Sequence, residues 1–112
     1  MKKIESKPFV FFSLCICAKD GVISQTEEAK IFELINQNNK FKKLTKKNFE
    51  DLIFEFFSTD DQLEDYCNPF ENAEDKALAL EIAEQSATAD GLEIKENIAY
   101  QKAEHFMLNK NE

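Results

Sequence analysis

Ala18-Lys19-Asp20-Gly21-Val22-Ile23-Ser24-Gln25-Thr26-Glu27 and Ala87-Thr88-Ala89-Asp90-Gly91-Leu92-Glu93-Ile94-Lys95-Glu96 are two versions of one motif, and they hold the only two glycines of the chain. Each follows an apolar, Ala-containing stretch with helical character and precedes an amphipathic one. Asp-Gly suits such a junction, because glycine enters the left-handed conformation that ends a helix at little steric cost. An internal repeat is first a statement about architecture. Here it predicts two helix–turn–helix halves with acidic residues at equivalent corners.

The sequence around these corners extends the helical reading. Ser6 and Pro8 suit the start of a helix. Phe9 to Ala18 is apolar on all sides, the mark of a central buried helix. Ser24 and Glu27 match the S-x-x-E capping box, so a second helix starts near Gln25, with Ala29, Phe32 and Ile35 as its stripe and Ile31 and Leu34 beside it. Asn36 to Lys40 reads as its polar end. Thr45 caps a third helix carrying Phe49, Leu52, Ile53, Phe56 and Phe57. Phe54 sits off that stripe, and if exposed it marks a partner surface rather than core. Thr59 or Asp60 is expected to cap a short fourth helix near Leu63 to Tyr66 that stops before Pro69. Asn72 caps a long fifth helix over 73–89, packing through Ala77, Leu80, Ala83 and Ala87. A sixth, over 94–107, is expected to bury Ile98, Ala99, Ala103 and Phe106. No stretch alternates as a strand does. The expectation is an all-α bundle of about five or six helices in one domain spanning residues 1–112.

Composition agrees. A chain of 112 residues with 43% apolar content, eleven Phe and only four Gly plus Pro has enough material for one core and few breakers. Fully burying a phenylalanine contributes about 1.5–3 kcal/mol, so these rings can anchor a small bundle. The apolar run from Pro8 to Ala18 is about half of what a bilayer span needs. It runs into a charged turn rather than a small-residue cleavage site, so a core helix and a cytoplasmic protein without a transmembrane segment are expected. Cys15, Cys17 and Cys67 show no metal-ligand spacing, and the first two point to different faces of a helix. Reduced core cysteines are the reading.

Charge is unevenly placed. All basic residues are lysines; residues 1–56 carry ten against eight acids, and residues 57–112 carry four against fourteen, so the halves are +2 and −10 within a net −8. Lys40, Lys42, Lys43, Lys46 and Lys47 form a local cluster. Asp60, Asp61, Glu64, Asp65, Glu71, Glu74 and Asp75 follow. This balance, with no forked arginine donors, disfavours direct nucleic-acid binding. It points to a protein partner engaged through an acidic surface or to a cation; a face that only aids solubility is the plainer alternative.

At the Asp-Gly corners the chain resembles the TerB-like tellurite-resistance family, which includes a membrane-proximal domain of certain J-domain co-chaperones. The hallmark is a repeated A-x-A-D-G-x-(I/V)-(S/D)-x-x-E between helices. The first copy keeps Asp20-Gly21, Ile23, Ser24 and Glu27. The second keeps Ala87-Thr88-Ala89-Asp90-Gly91 and then departs: Glu93 replaces the hydrophobe, Ile94 the cap, and Glu96 falls one residue early. The resemblance implies a compact helical bundle in stress-associated or membrane-associated assemblies rather than a catalyst. In some members it also implies acids that bind a divalent metal.

The residues themselves leave that point open. Asp20, Glu27, Asp90 and Glu96, with Glu28 and Glu93 nearby, would supply oxygens to a divalent cation (calcium, magnesium or zinc) if the corners meet. Otherwise the aspartates close turns and the glutamates serve helix N-termini. An EF-hand is excluded: counting Asp20 as the fifth loop position puts Ile16 and Ala18 at the first and third, where oxygen ligands are required. No phosphate loop, nucleophile elbow or catalytic constellation is evident, and His105, the one histidine, reads as a surface or rim residue. Asn68-Pro69-Phe70 matches either a short peptide ligand or a proline turn with a buried Phe. A non-enzymatic acidic interaction module is the leading functional expectation. The alternative is an acidic inhibitor or nucleic-acid mimic that blocks a basic protein surface.

Overall fold

Local capping chemistry sets most helix starts. The computed structural model describes residues 4–18, 23–59, 61–89 and 94–108, with the backbone alone for 94–96 and 108. Six helices follow one another: α1 Lys7–Cys17, α2 Gln25–Gln37, α3 Lys46–Phe57, α4 Leu63–Cys67, α5 Ala73–Thr88 and α6 Ile94–Leu108. Ser24, Thr45 and Asn72 each accept a hydrogen bond from the backbone N–H three residues on, as their positions predict. Ser6 and Pro8 stand at the N-cap and in the first turn of α1 as expected, although the buried Ser6 makes no side-chain capping bond. One expected start differs. At α4 the cap is Gln62, whose N–H donates to Asp65 Oδ2 at 2.9 Å. Thr59 instead closes α3, its hydroxyl donating to the Phe56 carbonyl at 2.9 Å and lying 2.9 Å from the Tyr66 hydroxyl.

The all-round apolar α1 is the axis of the bundle. It touches all five other helices, most extensively α5. Val10, Phe12, Leu14 and Ile16 are wholly removed from solvent. The radius of gyration is 13.0 Å, against about 13 Å for a compact domain of this length. Among the described residues there is no strand; one isolated parallel bridge joins Ile4 to Phe41. The bundle is all-α.

Aromatic rings pack on two sides of α1. Phe9 meets Phe41 and Phe70 edge-on at 4.8 and 4.9 Å, and Phe12 meets Phe70 at 5.7 Å. On the other side Phe11 lies 5.8 Å from Phe56 and 6.1 Å from Tyr66. Edge-to-face pairs at these separations add to simple burial. Phe70 is 2% exposed while Asn68 and Pro69 face solvent, which fits a proline turn with a buried Phe. The cysteines are buried thiols, as expected.

Four stripes differ from their sequence reading. On α3 Phe49 is buried but Phe57 is exposed. On α2 the buried line is Glu27, Ile31 and Ile35, while Ala29 is exposed. An isoleucine removes far more apolar area from water than an alanine, so the helix turns the larger residues inward. On α5 Ala77 is exposed, and Ala79, Leu80, Ile82, Ala83, Ser86 and Ala87 are buried. On α6 the buried line is Ala99, Ala103 and Met107, while Ile98 and Phe106 face solvent. α5 packs on α6, and small buried residues on both let their backbones approach closely.

Candidate functional site

The first corner is resolved at its helical end. Glu27 is 4% exposed, and its Oε1 accepts from the Ser24 N–H at 3.3 Å and the Ser24 hydroxyl at 3.2 Å. In return the Glu27 N–H donates to Ser24 Oγ at 3.1 Å. This reciprocal box satisfies otherwise orphaned N–H groups at the start of α2. Asp20 and Asp90 lie outside the described residues, as do Gly21 and Gly91. Glu96 stands in the first turn of α6, its side chain outside the description.

The described residues that border the two corners share one cleft. Ala89, the neighbour of Asp90, shares a shallow cleft with Gln25 and Thr26 of α2, and Lys30 and Glu33 line it further along. Among the described residues, however, no three acidic, histidine or cysteine side chains are grouped to hold a metal. Glu27 spends one oxygen on its cap, and a hard cation wants at least six. The described side chains therefore fit a capping role and do not by themselves assemble a cation site.

The opposed charge runs are partly consumed by the fold. Lys40 Nζ meets Glu74 Oε1 at 2.6 Å, Lys42 Nζ meets Glu5 Oε1 at 2.7 Å, and Lys47 pairs with Asp51 at 3.5 Å. The Lys40 ammonium holds the Glu74 carboxyl below the usual carboxylate range by hydrogen bond and charge. Asp65 and Asp75 serve the starts of α4 and α5. Asp61, Glu64 and Glu71 remain exposed. From Asn48 to Asp75 the sequence contains no basic residue.

A feature that the periodicity did not reveal is a groove between α4 and α6. Its cavity volume is about 550 Å³, with Gln62, Leu63 and Glu64 on one wall and Ile98, Lys102 and Phe106 on the other; Gln101 and His105 complete it. Ile98 is 50% and Phe106 37% exposed. The signal was present in α6, which has apolar residues on two faces although a single neighbour can cover only one. Phe54 on α3, off the buried stripe, is 77% exposed.

A second, smaller cleft of about 340 Å³ lies between α5 and α6, with Glu84, Tyr100 and Glu104 among its walls. Burial pushes the Tyr100 phenol up to about 12, and the Glu84 and Glu104 carboxylates reinforce the shift. Tyr66 is also raised, chiefly by burial, although its hydrogen bond to Thr59 pulls the other way. These are the only two tyrosines. Both favour the protonated phenol in the fold, so their contribution to stability is complete below an ordinary tyrosine pKa of about 10 and is lost as pH rises beyond it. Tyrosinate absorbance is thus expected to appear well above pH 10 in the native protein and near about 10 in denaturant. A native titration centred at the denatured value would contradict the burial of both rings.

No protein-family model matches the chain, and neither a curated protein nor a solved structure matches it.

Proposed function

We propose that this chain is a non-enzymatic interaction module of the TerB-like kind, which engages a protein partner through its acidic surface in a stress-associated or membrane-associated assembly. The observation that carries the reading is the separation of its carboxylates into two sets. Asp65, Glu74, Asp75 and Glu27 are spent on caps and one ion pair. Asp61, Glu64 and Glu71 remain on the surface within a stretch that has no cation of its own. Uncompensated carboxylates of one sign raise the encounter rate with a basic partner and discriminate against acidic ones. Among the described residues no helix is long and apolar enough to cross a membrane, so any membrane association of this part would run through a partner or a surface contact.

Affinity capture with the wild-type chain and with Asp61→Lys/Glu64→Lys/Glu71→Lys tests the proposal. Proteins retained by the first are expected to be lost by the second at physiological ionic strength. Retention of every captured protein by the reversed chain would sink it. Competition of the captured protein by DNA would favour the inhibitor or mimic reading instead. Repeating the capture in calcium, magnesium or zinc, and with Asp20→Asn/Asp90→Asn, reads the corners separately. A partner held only with the ion, and lost in that double variant, would assign the ion to them.

A further inference from the structure

We infer that the outward face of α3 pairs with the same face of a second copy of this chain, the two helices running antiparallel. This pairing is independent of the acidic-module reading, and the purified chain alone tests it. α3 is covered on one side, chiefly by α1. Lys46, Lys47, Glu50, Phe54 and Phe57 are all exposed, and their spacings of three and four place them together on its other side. Phe54 is 77% and Phe57 42% exposed, one helical turn apart, so they form an apolar patch open to solvent. The stripe is cationic in the first turn of α3 and aromatic in the last, with a carboxylate midway.

Charge selects the occupant. An antiparallel copy lays the lysine end of each stripe along the phenylalanine end of the other. An ammonium group is attracted to an aromatic face, and its methylene stem covers further ring carbons. The chain makes this contact once within itself, with Lys7 Nζ 5.4 Å from the Phe11 ring centre. The helix dipoles agree. Lys46 and Lys47 stand at the positive end of α3, which has no acid in its first turn and no base in its last. The first turns of α2, α4 and α5 each hold two acids instead. An antiparallel copy brings both lysines beside the carbonyl end of its partner, where cations are stabilised. A parallel copy would set lysine against lysine. A partner of one sign meets a like charge: a basic helix at Lys46 and Lys47, an acidic one at Glu50 and Asp51. Lys47 loses little on pairing, because its contact with Asp51 at 3.5 Å is solvent-exposed and such pairs are weak. α3 is about 18 Å long at 1.5 Å per residue, so the interface is small and the dimer is a weak one.

Sedimentation equilibrium of the full chain, from about 10 µM to about 1 mM at physiological ionic strength, tests the pairing. The weight-average mass is expected to rise from that of one chain towards that of two. Phe54→Lys/Phe57→Lys and Lys46→Glu/Lys47→Glu should each stay monomeric over that range, whereas their equimolar mixture should recover a dimer. In the mixture the new lysines face the new glutamates at one end, and native lysines face native phenylalanines at the other. All four positions are exposed and both changes suit the α3 dipole, so the variants should fold, as thermal melts check. Ile98→Ser/Phe106→Ser, which alters the exposed apolar pair on α6, should leave the dimer intact. A chain that is monomeric at every concentration overturns the pairing and leaves the α3 face to another occupant. A dimer that survives either α3 variant overturns it too, and so does one that Ile98→Ser/Phe106→Ser dissociates. Loss in both α3 variants without recovery in the mixture overturns the antiparallel arrangement.

Discussion

Phe70→Ala is expected to cost about 3–5 kcal/mol, the range for removing a buried phenylalanine when the cavity cannot collapse. The ring is 2% exposed and held edge-on by Phe9 and Phe12, both on the central helix. It also fixes the turn between α4 and α5, where the Phe70 N–H donates to the Cys67 carbonyl at 3.2 Å. Domains of this kind have about 5–15 kcal/mol in total. The variant should therefore melt at least about 10 °C lower, or be largely unfolded when first isolated. Phe54→Ala is the matched control, with the same atoms deleted from a ring 77% exposed. It is expected to change stability by no more than about 0.5 kcal/mol. Similar melting temperatures for the two variants would contradict the packing of the α4–α5 turn against α1.

Asn36→Ala is expected to cost about 2–3 kcal/mol, far more than a polar residue at a helix end usually contributes. The Asn36 side chain grips Leu44 from both sides: its Nδ2 donates to the Leu44 carbonyl at 3.0 Å, and its Oδ1 accepts from the Leu44 N–H at 2.8 Å. In this way one amide substitutes for a rung of β-ladder and closes the loop from Asn38 to Thr45. That loop carries Phe41, 1% exposed, against Phe9, and pairs with Ile4 through the Ile4 N–H to the Lys40 carbonyl at 2.8 Å. Truncation leaves two partly buried backbone groups without partners, so the penalty is the desolvation of both. Urea unfolding gives the free-energy change, and hydrogen exchange at Leu44 should accelerate ahead of global unfolding. A loss below about 0.5 kcal/mol would show that water replaces the asparagine at little cost.

The candidate site was legible only in part. Glu27 was placed in a capping box by the S-x-x-E spacing, and that box is present. The partition of the acids was not legible, because Asp65 and Glu71 look alike in sequence. One accepts from Gln62, and the other lies on the surface. The pairing of Lys40 with Glu74 spans 34 residues and depends on where the loop after α2 meets the start of α5. The α4–α6 groove was missed for the reason that both faces of α6 carry apolar residues, and periodicity alone cannot say which one a neighbour covers.

The sequence by itself determined the helices. Starts such as Ser24 with Glu27, Thr45 and Asn72 are decided within four residues by which side chain can reach an orphan N–H, and chain-local chemistry needs no tertiary partner. It also determined that α1 lies at the centre, since a helix apolar on every side has no face to offer water. Only the tertiary structure decided which apolar residues count as core. Phe70 is inside and Phe54 outside, and Ala99, Ala103 and Met107 are covered where Ile98 and Phe106 are not. Burial is a property of two surfaces meeting. Small residues win a crowded helix contact because they let backbones close up, and the larger apolar side chains left over are the ones that line the groove.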